Sequence, residues 1–178
     1  MIVQSKLKEA GLLLKKLYES QDIENRFKDN LNAFLSTIRS IPYHLLRDYG
    51  VRYGLHEPLT KKVHPGVFEE KAKQIGSEVA VNFIRWWLRK MDELKKDPIG
   101  SLLVGEKELD VTNIFVMPAT VETKTKVVDS SIQKMKETEI KINWFFKEYD
   151  KEPVIIICEK FFSIIKKFVK EAEKTFPH

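Results

Sequence analysis

Phe27–His44 reads FKDNLNAFLSTIRSIPYH, and the spacing of its apolar residues decides the fold class. Together with Ile23, the residues Phe27, Leu31, Phe34, Leu35, Ile38 and Ile41 recur at helical intervals and fall on one face of an α-helix. Ser20-Gln21-Asp22 precedes the run, and the Asp22 carboxylate suits a helix N-terminus. Pro42 has no amide hydrogen and pushes Ile41 towards extended backbone. The sequence therefore predicts that this helix ends or kinks there.

Upstream, Val3, Leu7, Ala10, Leu14 and Leu17 alternate at steps of four and three, opposite Lys8, Glu9, Lys15 and Glu19. That is a second amphipathic helix, and the short turn between the two predicts antiparallel packing. Downstream, DYGVRYGLHEPLTKKVHPGV (48–67) holds three of the seven glycines and reads as a long loop. A further helix follows from about Ser77 to Lys96, with Ala80, Phe83, Ile84, Trp87, Met91 and Leu94 in its stripe and Trp86 broadening it. Asp97-Pro98 opens a short helix, aspartate suiting the cap and proline the first turn.

The period then changes. TVETKTKVV (Thr120–Val128) and TEIKINWFF (Thr138–Phe146) alternate with period two and are expected to pair as antiparallel strands. VTNIFVM (Val111–Met117) adds a third strand or a buried connector. The last helix starts near Pro153 and runs to about Phe176, apolar over more than half its circumference, which makes it either central or part of a subunit interface. The expectation is a mainly α single domain over residues 1–178, a bundle of four to five helices, with a small antiparallel β-hairpin at about 119–147 before the C-terminal helix.

Composition bounds the function. The chain is 43% hydrophobic and 32% charged, hence globular rather than disordered. A net charge of +5 permits a weak polyanion partner without demanding one. Cys158 stands alone, which excludes an intramolecular disulfide and any multi-cysteine metal site. MIVQSKLKEAGLLLKKLYES lacks the uninterrupted apolar core of a signal peptide, and no long uncharged apolar window occurs, so a cytoplasmic chain with no membrane partner is expected. Abundant Lys, Glu and Ile with few Gln point to a heat-adapted source.

Two groups of side chains are chemical candidates. Arg39 and His44 offer an arginine and a histidine with four residues between them, the types that move a proton and stabilise charge at a scissile phosphate. On a continuous helix they would stand about 140° apart; Pro42 either spoils or permits their convergence. RWWLRK (Arg85–Lys90) offers Arg85, Arg89 and Lys90 as nucleic-acid contacts beside two tryptophans, although Trp87 belongs to the core stripe and Trp86 to its flank. KKFVKEAEK (Lys166–Lys174) reads as a solvated helix face with Lys167 and Glu171 as an i,i+4 pair. His56, His64 and His178 form no metal-ligand spacing, and the HExxH, Walker, GxGxxG and GxSxG patterns are absent, so neither metal nor cofactor is expected. Cys158 falls on an apolar helix face as packing.

FKDNLNAFLSTIRSI (Phe27–Ile41), WWLRKMDELKKDPIGSLL (Trp86–Leu103) and PVIIICEKFFSIIKKFVKEAE (Pro153–Glu173), in that order, resemble HEPN-like helical proteins of bacteria and archaea. The resemblance implies a helical bundle with a small hairpin before its closing helix, often assembled as a homodimer. In that family an Arg-Asn and a later His follow the short helix. In EKELDVTNIF (Glu106–Phe115), Asp110 stands at the arginine's place and Phe115 at the histidine's, which implies that the ribonuclease constellation is missing; Arg39 and His44 lie in the wrong helix to be it. The resemblance thus implies a non-catalytic binding protein whose partner is RNA or another protein, in a toxin–antitoxin-like or defence setting. The alternatives are a metal-independent endoribonuclease, using Arg39 and His44 or an Arg/His pair formed at a dimer interface, and a structural subunit of a larger assembly.

Overall fold

A computed structural model describes residues 1–55, 64–104, 109–118, 122–125, 136–139 and 142–177. In chain order these form α1 (Ile2–Glu19), α2 (Glu24–Arg52), α3 (Pro65–Gln74), α4 (Glu78–Lys96), α5 (Gly100–Val104), a 3-10 turn (Val111–Asn113), β1 (Ile114–Pro118), β2 (Glu122–Thr125), β3 (Lys136–Glu139), β4 (Ile142–Phe146) and α6 (Val154–Thr175). The architecture is mainly helical with antiparallel strands before the last helix, as the periodicities predict. His56, His178 and the centre of the expected hairpin lie outside the described residues.

α1 and α2 run antiparallel. Asp48 Oδ2 accepts from the Val3 amide at 2.8 Å, Thr37 Oγ1 donates to Glu9 Oε1 at 3.4 Å, and Asn30 Nδ2 donates to Ser20 Oγ at 3.0 Å. Asp48 thereby satisfies one of the amides that the start of α1 leaves open. Asp22 does not cap α2: that position is Ile23, with no side-chain hydrogen bond. The Trp144 indole instead secures this turn by donating to the Gln21 carbonyl at 2.9 Å.

Pro42 neither ends nor divides α2, which continues ten residues beyond it to Arg52. An interior proline costs about 3 kcal/mol relative to alanine. Leu45, Leu46 and Tyr49, beyond the proline, are all fully buried, and each such side chain returns roughly 1.5–3 kcal/mol. Packing outweighs the missing hydrogen bond. The expected long loop over 48–67 is corrected accordingly: α2 fills its start, and its end opens α3, where His64 is the N-cap and Pro65 the first residue, with His64 Nδ1 accepting from the Gly66 amide at 3.2 Å.

The strands form two antiparallel ladders, one of which joins the two segments expected to pair. β4 lies against β1, with Ile114 opposite Phe146 and Pro118 opposite Ile142. β2 pairs with β3, with Glu122 opposite Glu139. VTNIFVM thus contributes a strand rather than a connector, and TEIKINWFF divides between two ladders. Trp144 and Phe146 are buried, as their alternation predicts, and Trp144 stacks on Phe27 with ring centroids 5.4 Å apart.

α6 is central. Val154, Ile157, Cys158, Phe161, Ile165, Val169 and Ala172 are fully buried within the one chain, against α1, α2, α5 and β4. Its wide apolar face therefore needs no partner to cover it. The Tyr49 hydroxyl donates to the carbonyls of Ala172 (3.2 Å) and Phe176 (2.9 Å), and Arg52 Nη1 donates to the latter at 2.9 Å. These donors meet the open carbonyls at the end of α6. Among the described residues no helix is long and apolar enough to cross a membrane.

Candidate functional site

Arg39 and His44 lie on the uninterrupted part of α2. Five helical positions separate their directions by about 140° around the axis. His44 is half-buried in a polar seam between α1 and α2. There Lys6 Nζ pairs with Glu9 Oε2 at 2.7 Å. Burial first, and then the Lys6 ammonium, hold the imidazole below its ordinary pKa, while Asp48 and Glu9 oppose them. A neutral imidazole there can accept a proton. Arg39 is half-buried and has a contact of its own.

At the two positions where the resemblance puts the family's ribonuclease residues, the side chains have local structural roles. Asp110 Oδ1 accepts from the Thr112 amide at 2.8 Å and caps the 3-10 turn. Phe115 is half-buried, its ring 5.9 Å from that of its strand neighbour Phe145.

On α4, Ser77 caps the N-terminus, and Trp86 and Trp87 are buried. The Trp87 indole donates to the Pro42 carbonyl at 3.0 Å. Both tryptophans serve the core, so neither offers a free ring for stacking. Their cationic neighbours are matched by acids: Arg85 lies 3.8 Å from Glu69, Arg89 lies 3.8 Å from Glu93, and Lys90 sits between Glu93 (3.0 Å) and Glu171 (2.8 Å). Lys90 holds the Glu171 carboxyl below its usual range and is itself raised. A cleft of about 320 Å³ opens beside this pair, between α4 and α6, floored by Leu94, Ile164 and Phe168.

The same ion pair changes the outer face of α6. The expected Lys167–Glu171 bridge does not form, because Glu171 turns to Lys90; Lys167 acts on it only at longer range. Lys166, Lys170 and Lys174 are exposed and make no ion pair with any described residue. The acids interleaved with them in sequence or space are turned elsewhere. Glu173 accepts from Gln4 Nε2 and Glu159 from the Tyr18 hydroxyl, both on α1. Sequence reasoning passed over this face because the run KKFVKEAEK, four lysines with two glutamates among them, reads as an ordinary solvated helix face until the directions of Glu171 and Glu173 are known.

Among the described residues no group of three or more His, Cys, Asp or Glu side chains is arranged to hold a metal. Cys158 is fully buried, and burial pushes its thiol pKa up, as expected of packing rather than a nucleophile. Compared with known proteins, the chain matches no family model, no curated protein and no solved structure.

Proposed function

We propose that this chain is a non-catalytic binding protein of HEPN-like build that associates with RNA through the phosphate backbone. The observation that carries the reading is the uneven pairing of its cations. On α4, Arg85, Arg89, Lys90 and Lys96 are matched by carboxylates and Lys95 alone is not, whereas Lys166, Lys170 and Lys174 stand in a row on α6 with no ion-pair partner among the described residues. A surface that concentrates unpaired ammonium groups attracts a polyanion, and release of counterions from that polyanion drives binding. The helical bundle with strands before its closing helix agrees with the architecture the resemblance implies. The reading also carries the family's expectation of a homodimer, which a solution mass tests directly.

The deciding experiment measures RNA binding across a salt series while cleavage is followed in the same samples. Binding that weakens steeply with salt and leaves the RNA intact is the expected result. Cleavage that His44→Ala abolishes would replace this reading with the endoribonuclease one. Absence of binding at low salt would remove RNA as the ligand.

A further inference from the structure

We infer that the ligand is double-helical RNA, seated by its phosphates on a face made by Lys166, Lys170 and Lys174 of α6 with Lys8 of α1. The inference rests on the RNA-binding reading above. Each step of four residues along a helix advances about 6 Å and turns the side chain about 40°, so the three α6 lysines form a row about 12 Å long. α6 fixes that row: its opposite side is locked into the core, and Tyr49 and Arg52 hold its end. Lys8 joins the row from the neighbouring helix. Gln4 meets Glu173, and Gly11 faces the Phe162 ring, where an added Cβ would lie 3.4 Å away. Lys8, exposed between Gln4 and Gly11 in sequence, comes up at the level of Lys166 and Lys170.

A structural explanation accounts for only one of these residues. Cations near a helix C-terminus complement its dipole, but the effect fades within the last turn. That turn contains Lys174 alone. Lys166 and Lys170 lie further back and gain little from it.

The chemistry of the face selects the form of the RNA. Single strands are held largely by stacking of bases on aromatic rings. No aromatic ring stands free within the row: Phe162 is half-buried against Gly11, and the exposed ring of Tyr18 lies level with Glu159, about 10 Å along α6 from Lys166. What remains is a row of ammonium charges on flexible stems, spaced by a fixed helix, which suits a duplex whose base faces are hidden and whose phosphates are regularly placed. Such a face reads no sequence. An anionic lipid surface fits less well, because a membrane-lying helix interleaves its cations with large apolar groups, and the exposed positions between Ser163 and Lys174 are Ser or Lys apart from the terminal turn.

The test uses the full chain with an RNA duplex of about 20 bp, enough for one module, and with one of its strands alone. Neutralising three phosphates predicts that duplex affinity falls about 40-fold between 50 and 200 mM salt, and about 150-fold for four. The variant Lys166→Gln/Lys170→Gln/Lys174→Gln should flatten that dependence by nearly three units of log–log slope. Arg85→Gln/Arg89→Gln/Lys95→Gln removes the same charge from α4 and should leave the affinity within a few-fold. If the wild type binds RNA but the α6 variant binds equally well, the face is wrong while the RNA reading stands. Equal affinity for the single strand, or for vesicles of anionic lipid, overturns the duplex assignment. No RNA binding at low salt brings down both proposals together.

Discussion

Gly100→Ala tests how closely α5 approaches the end of α4. A Cβ at Gly100 would lie 2.5 Å from the Leu94 carbonyl oxygen and 3.2 Å from the Leu94 carbonyl carbon. These are backbone atoms of the last turn of α4 and cannot swing aside as a side chain would. Asp97 pins the same turn by accepting from the Ile99 and Gly100 amides at 2.9 and 2.6 Å. Overpacking against a fixed neighbour costs roughly 1–3 kcal/mol, and the smaller unfolded-state entropy of alanine returns about 0.4–1 kcal/mol. The net loss is about 1–2 kcal/mol, which for a chain of this size lowers Tm by roughly 2–8 °C. Gly11→Ala is the matched control. Its Cβ would meet only the tip of the Phe162 ring, at 3.4 Å, and a mid-helix glycine replaced by alanine gains about 0.8–1 kcal/mol. Thermal unfolding followed by far-UV circular dichroism should move the two variants in opposite directions. A Gly100→Ala protein as stable as the wild type would refute the close approach of α5 to Leu94.

Trp144→Ala should cost about 3–5 kcal/mol, as a large buried aromatic does. Trp144→Phe should cost about 1–2 kcal/mol, since it keeps the ring on Phe27 and loses the bond to Gln21; urea midpoints that fail to separate the two variants would mean β4 is not docked on the α1–α2 turn. His44 gives a pH signature. Its folded pKa lies below the ordinary 6.5, so the unfolded chain binds the proton more readily. The stability is whole above pH 6.5 and declines as pH falls through that value towards the folded pKa. Relative to the wild type, His44→Gln should lose less stability on acidification over that interval, and identical urea midpoint profiles for the two proteins would contradict the burial of the imidazole.

α1, α4 and α6 were legible because each has an unbroken apolar stripe and local turn residues that agree with it. α2 was readable only as far as Pro42. Leu45, Leu46 and Tyr49 carry its stripe onward, but the local rule for proline masks that signal, and only tertiary packing reveals which term is larger. α3 was hidden by His64-Pro65-Gly66, a sequence that serves equally well for a loop or for a capped helix start. Alternation showed which side of Trp144 and Phe146 faces inwards, yet period two carries no information about the partner strand. The lysine face on α6 was illegible for a related reason. Whether Glu171 neutralises Lys167 on its own helix or Lys90 on another depends on a contact between residues far apart in the chain.

The central position of α6 has a consequence for the order of biosynthesis. The helix that covers α1 and α2 is also the last of the described elements to leave the ribosome. At ordinary elongation rates roughly 6–25 s separate the completion of α2 from that of α6. Throughout that interval the apolar side of the α1–α2 hairpin that will face α6 has no native cover. The nascent chain is therefore a natural client for a chaperone that shields apolar helices, and folding becomes a single late event. Truncations that stop before Pro153 should yield aggregates rather than a smaller folded core.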